Sequence, residues 1–132
     1  MAKDRITLTV PARGEHARTV RMTAASIVSR MGMNFDDVDD VRMAAEEAFV
    51  YAADTVPEGS DLTFTFDIAD DTIAIEVALG HEADLSDEEV ERRASYATFI
   101  LESVCDSFEL VSSETGTPSL RLVKRAGIVD DV

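Results

Sequence analysis

The sequence predicts an α+β fold, a two-layer sandwich in which three helices cover one face of an antiparallel or mixed sheet of about five strands. Short segments that alternate apolar and polar side chains, as at Ile6, Leu8 and Val10, indicate strands with one buried face. Longer segments with apolar side chains every three or four residues indicate amphipathic helices. The segments follow the order strand, helix, helix, two strands, helix, two strands, which favours helices packed on one side of a sheet.

The first half of the chain is predicted to hold a strand and a helical pair. The strand covers Arg5–Val10, and the first helix runs from Glu15 to Met31, where Gly32 is a typical C-terminal stop. The second helix covers Asn34–Thr55, with Asn34 as N-cap and acidic residues in the first turn, where the helix dipole favours them. Its apolar stripe is formed by Val38, Val41, Ala45, Ala48, Phe49 and Ala52.

Glu47 lies opposite the centre of that stripe on a plot of about 100° per residue, and Tyr51 falls on the same side of the helix as Glu47. A carboxylate in this position faces either water or a pocket. Helical periodicity leaves both alternatives open, and the functional interpretation depends on which one holds.

The second half is predicted to consist of two hairpins that flank a helix. Ser86 and Glu89 form a capping-box pattern at the helix start. In chain order, the predicted elements are strands at Leu62–Ile68 and Ile73–Leu79, one continuous helix at Asp87–Val104, and strands at Ser107–Ser112 and Ser119–Lys124. We expect a single domain over residues 1–132, with residues 125–132 as a loose tail.

Composition excludes several classes of function. The net charge of −15 argues against nucleic-acid binding, which needs clustered Lys and Arg, and it suits a protein partner. We expect no membrane span, because no apolar run approaches the necessary length.

The single cysteine, Cys105, allows no internal disulfide and favours a cytoplasmic location. Its place beside a helix stripe favours a core thiol over a nucleophile. His16 and His81 are isolated, so we predict no metal site.

Three stretches together carry a resemblance to a known family: Val20–Phe49, Phe99–Leu110 and the Gly116-Thr117 turn. They resemble the anti-sigma factor serine-protein kinases, small bacterial relatives of the histidine-kinase ATP-binding domains. The resemblance implies a protein that binds a sigma factor, is displaced by an anti-anti-sigma protein, and phosphorylates a serine of that protein with ATP and Mg²⁺. It also implies a homodimer.

The first family motif is Glu-Ala-x-x-Asn on the second helix, which here reads Glu47-Ala48-Phe49-Val50-Tyr51. The resemblance makes Glu47 the candidate general base, a role that needs a carboxylate within hydrogen-bond reach of the attacking hydroxyl. Tyr51 replaces the Asn that would bind Mg²⁺, and a phenol is a poor ligand for this ion.

The remaining ATP-binding motifs depart from the family pattern at their functional positions. The Asp-x-Gly-x-Gly motif corresponds to a stretch around Gly80 without an equivalent Asp. The Gly-x-Gly that lets phosphate approach a helix start reads Ser95-Tyr96-Ala97, followed by Thr98, within the predicted continuous helix. The Gly-Thr turn is intact at Gly116-Thr117.

Two functional hypotheses follow from these motifs. The first is a protein-binding regulator that holds a sigma factor or an anti-anti-sigma protein and has weakened or lost ATP use. The alternative is an active ATP-dependent serine-protein kinase. A cluster of acidic residues is compatible with a docking face, a remnant ATP lid or a solvated surface; it consists of Glu82, Asp84, Asp87, Glu88, Glu89 and Glu91.

Overall fold

A computed structural model describes residues 4–80, 86–112 and 116–127. It confirms the predicted class, a five-stranded antiparallel sheet combined with three α-helices. The strands are β1 (Asp4–Pro11), β2 (Asp61–Ile68), β3 (Thr72–Ala78), β4 (Ser107–Ser112) and β5 (Pro118–Arg125), and the helices are α1 (Ala17–Ser29), α2 (Phe35–Ala53) and α3 (Glu88–Val104).

The strands lie in the order β1-β2-β3-β5-β4, and every neighbouring pair is antiparallel. β5 therefore lies between β3 and β4, although it follows β4 in the chain. The register aligns apolar side chains across the sheet, since Ile6 pairs with Phe66, Phe66 with Ile75, and Ile75 with Leu122. Alternation along each strand directs these side chains to the same face, which the helices cover.

The opposite face of the sheet is polar. The hydroxyls of Thr9 and Thr63 are 2.9 Å apart on adjacent strands, and Arg5 forms an ion pair with Asp67, with Nε 2.6 Å from Oδ1. This face carries short polar and charged side chains, as expected for an antiparallel sheet covered on one side only.

The core lies between α2 and the central strands. Phe49 of α2 and Phe64 of β2 are almost completely buried, and their rings stack with centroids 6.3 Å apart. α1 and α3 pack against α2 on its two sides. α2 is consequently enclosed by the sheet below and by a helix on each flank.

The helix ends match the predictions closely, with two corrections. The Asn34 side chain accepts a hydrogen bond from the Asp37 N–H at 2.8 Å, as an N-cap should. The N-cap of α3 is Asp87, whose carboxylate accepts from the N–H groups of Glu89 and Val90, and the prediction of a Ser86 cap was wrong. The first helix begins with a separate 3₁₀ turn at Gly14–His16 before the α-helix proper starts at Ala17.

The predicted loose tail starts later than expected. Arg125 belongs to β5, the Ala126 N–H donates to the Asp71 carbonyl at 2.7 Å, and the Gly127 N–H donates to Oδ2 of Asp37 at 2.7 Å. These three residues are therefore fixed to the fold by hydrogen bonds. Residues 128–132 lie outside the described part of the chain.

A partly buried ionic cluster anchors the start of α2 to the end of β5. Lys124 Nζ lies 3.1 Å from Oδ2 of Asp40 and 3.8 Å from Oδ1 of the buried Asp37. Burial alone would lower the pKa of Lys124, but the hydrogen bond to Asp40 and the charges of nearby carboxylates outweigh it and raise the pKa. The ammonium therefore stays charged over the physiological range, which the buried carboxylate requires.

Candidate functional site

A small pocket of about 260 Å³ lies between α2 and α3 and contains the candidate general base. Its lining comes from Glu47 and Val50 on α2 and from Arg92, Arg93 and Tyr96 on α3. The side chain of Glu47 therefore forms part of the wall of this pocket, which is mostly apolar, and remains partly exposed to water. Partial burial, and then the charge of Glu46, raise the pKa of Glu47 above its ordinary value.

The two glutamates at this point of α2 have different surroundings. Glu46 lies 3.5 Å from Arg21 of α1, so its charge is partly balanced. Glu47 forms no ion pair with any residue in the described ranges, although Arg92 and Arg93 line the same pocket. A carboxylate with a raised pKa and no paired cation is better suited to accept a proton than one held by arginine.

Tyr51 does not share the environment of Glu47. The sequence placed both residues on the polar side of α2, but Tyr51 is buried and belongs to the hydrophobic core. The expectation was wrong because a helical plot gives direction only, and α2 is covered on both flanks as well as beneath. The residue at the family's metal-binding position therefore packs as a core aromatic.

Ser95, Ala97 and Thr98 lie in the middle of α3, which runs without interruption from Glu88 to Val104. The prediction of one continuous helix is confirmed. Ala97 is completely buried, and the Thr98 hydroxyl donates to the Ser95 carbonyl at 3.0 Å. Backbone N–H groups inside a helix are used by its own hydrogen bonds and are not presented to a phosphate as they are at a helix start.

An ion pair joins α3 to the C-terminal end of α2. Arg93 Nε lies 2.8 Å from Oδ2 of Asp54, and Arg93 NH1 lies 3.7 Å from Oε2 of Glu89. Asp54 is seven residues beyond Glu47, so this ion pair lies about two helical turns from the candidate general base. The contact holds the first turns of α3 beside Glu47.

Gly80 follows β3 and contacts the end of α2. Its N–H donates to the Thr55 hydroxyl at 3.1 Å, and this hydroxyl donates to the Ala52 carbonyl at 2.6 Å. A Cβ at position 80 would lie 2.2 Å from the Thr55 carbonyl oxygen, so only glycine fits without movement of the backbone. The close approach alone accounts for this glycine, and its predicted role in nucleotide binding stays a prediction.

Thr117 lies at the same end of the sheet as Gly80. The Leu79 N–H donates to the Pro118 carbonyl at 2.9 Å, so the residues that flank the end of β3 and the start of β5 are neighbours. Thr117 is exposed and follows Gly116, whose φ of +83° is suited to glycine. Neither Gly80 nor Thr117 contributes to the pocket at Glu47.

Parts of the predicted acidic cluster have structural roles. Asp87 caps α3, and Glu88, Glu89 and Glu91 lie in its first turn, where the helix dipole favours negative charge. Glu82, Asp84 and His81 lie outside the described residues. His16 lies next to Arg13 and Glu15 at the start of α1, with Nε2 4.0 Å from Oε1 of Glu15.

The structure reveals a second concave region that the sequence analysis missed, here named the α1–β1 cleft. Two adjoining pockets along the outer side of α1 share Ile6, Ile27 and Arg30. Other residues of the cleft are Arg5, Arg18, Met22 and Met31. Three arginines and several apolar side chains line the cleft together with Asp4, and no local sequence pattern predicted it.

The one cysteine is predicted to be unreactive in the folded protein. Burial raises the pKa of the Cys105 thiol to about 11. Because alkylation requires the thiolate, a pKa two units above the ordinary value should slow the reaction with iodoacetamide at pH 7.5 by roughly 100-fold relative to the unfolded chain. The measurement is the alkylation rate by mass spectrometry, with and without guanidinium. Equal rates in the two conditions would contradict the burial of the thiol.

Comparison with known proteins shows that a family model described as "Histidine kinase-like ATPase domain" matches residues 10–124. Among curated proteins, the chain is similar to serine-protein kinases RsbW. The relative from Oceanobacillus iheyensis is 27% identical over 124 residues, covering 81% of this chain and 78% of the relative. The relative from Bacillus licheniformis is 31% identical over 97 residues, covering 68% and 59%. The relative from Halalkalibacterium halodurans is 34% identical over 71 residues.

The chain spans about half the length of most of these curated relatives, for example 44% of the Halalkalibacterium halodurans protein and 48% of one from Bacillus cereus. Among solved structures, the fold matches the RsbU and RsbW domains of Rv1364c from Mycobacterium tuberculosis with a TM-score of 0.72 at 15% identity. That match covers 96% of this chain and 34% of the other. At this identity the likeness shows the fold.

In the described part of the chain, no helix is both long and apolar enough to cross a membrane.

Proposed function

This chain belongs to the histidine kinase-like ATPase domain family, and from that premise we propose that it works, as a single domain, in a bacterial partner-switching system. In this proposal it binds a sigma factor or an anti-anti-sigma protein through protein contacts, with weak or lost use of ATP. The similarity to serine-protein kinases RsbW supports this class of function. We further propose a cytoplasmic location, because the single cysteine suits a reducing compartment, and a homodimer, because dimers are usual in the family that the sequence resembles.

The continuous helical conformation of α3 is the observation that carries the proposal. In the family that the sequence resembles, a Gly-x-Gly loop ahead of the last helix admits the triphosphate, and here residues 95–97 are helix interior. The ion pair between Arg93 and Asp54 holds this helix against α2 beside Glu47. MgATP binding would require the first turns of α3 to unwind and this ion pair to break, and Tyr51 supplies core packing instead of a hard metal ligand.

The α1–β1 cleft supplies a surface for a protein partner. Arg18 and Arg30 are exposed and form no ion pair with any residue that the structure describes, and Met22 is half exposed between them on α1. Unpaired guanidinium groups around exposed apolar side chains are typical of protein-binding surfaces, where arginine is enriched. This surface does not involve the pocket at Glu47, so a partner can bind there without nucleotide.

Titration calorimetry with ATP tests the proposal directly. We expect no heat of binding at millimolar ATP, with or without Mg²⁺. Residues 95–97 are helical, so their backbone N–H groups are used within the helix and are not available to a phosphate. Glu47→Ala is the control for any residual signal from the pocket. Magnesium-dependent binding in the micromolar range would overturn the proposal.

The second candidate function is an active ATP-dependent serine-protein kinase. One observation favours it: Glu47 is retained at the position of the general base, lines a pocket and has a raised pKa without an ion-pair partner among the described residues. An anti-anti-sigma protein incubated with the chain and MgATP should then gain one phosphate, detected by mass spectrometry. Glu47→Gln should abolish the transfer while leaving ATP binding in place.

A further inference from the structure

The outer surface of α2 and α3 carries an exposed apolar strip, here named the α2–α3 ridge and defined by Met43, Val50, Tyr96 and Phe99. Tyr96 is 60% exposed, Phe99 65% and Met43 39%, although all are large apolar or aromatic side chains. These two aromatic residues, three positions apart on one helix, are mostly exposed and are not part of the core of the described fold. Contiguous apolar surface of this kind marks interaction sites.

The two helices run antiparallel, which places the four side chains in one continuous strip. Asp54 of α2 pairs with Arg93 of α3, and Glu47 lies with Tyr96 in the shared pocket, so numbers decrease along α2 as they increase along α3. Met43 lies one turn before Glu47 on the same side of α2, and Phe99 lies one turn beyond Tyr96 on α3. The strip therefore extends over about 10 Å, from the position of Val50 to that of Met43.

Negative charge surrounds the ridge. Two acidic side chains within one turn of the ridge, Glu47 on α2 and Glu102 on α3, form no ion pair with any residue within the described ranges, and the likewise unpaired Asp36 and Glu88 lie two or more turns further along the same helices. Glu88 and Glu102 fall within about 60° of Phe99 around the axis of α3. Arg92 is the nearby cation without an ion pair among the described residues, so the unpaired charge at the ridge is mainly negative.

We propose that the α2–α3 ridge binds the apolar face of a basic amphipathic helix from a protein partner. The groove between two antiparallel helices accepts a third helix whose apolar residues recur every three or four positions. Lysine or arginine on the flanks of that helix would meet the unpaired carboxylates, while its apolar face covers Tyr96, Phe99 and Met43. The proposal rests on the proposed function only in that the chain acts through protein contacts, and it adds the surface and the chemistry of the partner.

Charge complementarity distinguishes this occupant from a second copy of the chain. A two-fold contact through the ridge would bring the same acidic side chains of two molecules together at this surface. Like charges at an interface without counterions oppose association. A basic helix avoids this repulsion, because its lysine and arginine side chains are attracted by the same carboxylates.

The test uses a fluorescein-labelled helical peptide of leucine and lysine, about 15 residues long, with leucines on one face. Fluorescence anisotropy in about 0.15 M salt measures its binding to the full chain. We expect micromolar affinity, at least tenfold weaker binding to the double variant Tyr96→Ala/Phe99→Ala, and several-fold weaker binding to Glu102→Lys. A leucine and glutamate peptide of the same pattern should not bind.

Leu110→Ala is the matched control, because Leu110 is similarly exposed at 55% but lies on β4, away from the ridge. It should leave the peptide affinity unchanged, and circular dichroism of every variant confirms that the fold is intact. Equal affinity for wild type and the double variant would overturn the proposal. So would a double variant that converts a dimer to a monomer in sedimentation, since the occupant would then be a second copy. Calorimetry with ATP tests the proposed function independently of either result.

Discussion

Phe49→Ala is expected to lower the free energy of unfolding by about 3–5 kcal/mol, since it removes a fully buried ring from the centre of the core. Phe49 is 1% exposed and stacks on Phe64, which is completely buried. The cavity would lie between α2 and the sheet, where neighbouring side chains are held by two layers and cannot collapse into it. Urea unfolding followed by circular dichroism measures the change.

Phe35→Ala is the matched control for this prediction. Phe35 is the first residue of the same helix and is 86% exposed, so the same chemical change should alter stability by less than about 0.5 kcal/mol. A comparable loss in both variants would show that the effect does not come from burial in the core, because alanine has a higher helix propensity than phenylalanine.

Gly80→Ala is expected to cost about 3 kcal/mol, because the added methyl group would lie 2.2 Å from the Thr55 carbonyl oxygen. The obstacle is a backbone atom at the end of α2, so no side-chain rotation relieves it. The substitution must also disturb the hydrogen bond from the Gly80 N–H to the Thr55 hydroxyl. Differential scanning calorimetry should show a fall in Tm of roughly 10 °C for a domain of this size.

Gly14→Ala separates this contact from the general effect of replacing glycine. A Cβ at Gly14 meets nothing within 4 Å, and its backbone does not have a positive φ. The variant should therefore be as stable as the wild type within about 0.5 kcal/mol. If Gly80→Ala were equally harmless, the close packing of residue 80 on Thr55 would be refuted. The alternative explanation of Gly80, its predicted role in nucleotide binding, would then be favoured.

Element types and most of the fold could be predicted because local pattern determines them. Asn34 and the two acidic residues after it mark the start of α2, and alternation in β2 and β3 identifies both strands and their buried faces. The Ser86 cap failed because Asp87, one residue later, offers the same chemistry with a carboxylate that accepts from two N–H groups. Sequence spacing cannot distinguish such neighbours.

The candidate site was predictable only in part, because its geometry depends on tertiary contacts. Periodicity gave the direction of Glu47 but not the pocket, which exists because α3 lies alongside α2. Tyr51 was misplaced for the same reason. The ion pair between Arg93 and Asp54 joins residues 39 positions apart, and no local pattern announces it.

The interior position of β5 determines when this protein can fold during its synthesis. When β4 leaves the ribosome, its neighbour in the sheet has not yet emerged, and the edge of β3 that will receive β5 is also without a strand. The nascent chain at that stage presents two open strand edges, which are the surfaces most prone to aggregate. A chaperone that binds extended apolar segments would be needed most while residues 107–118 emerge.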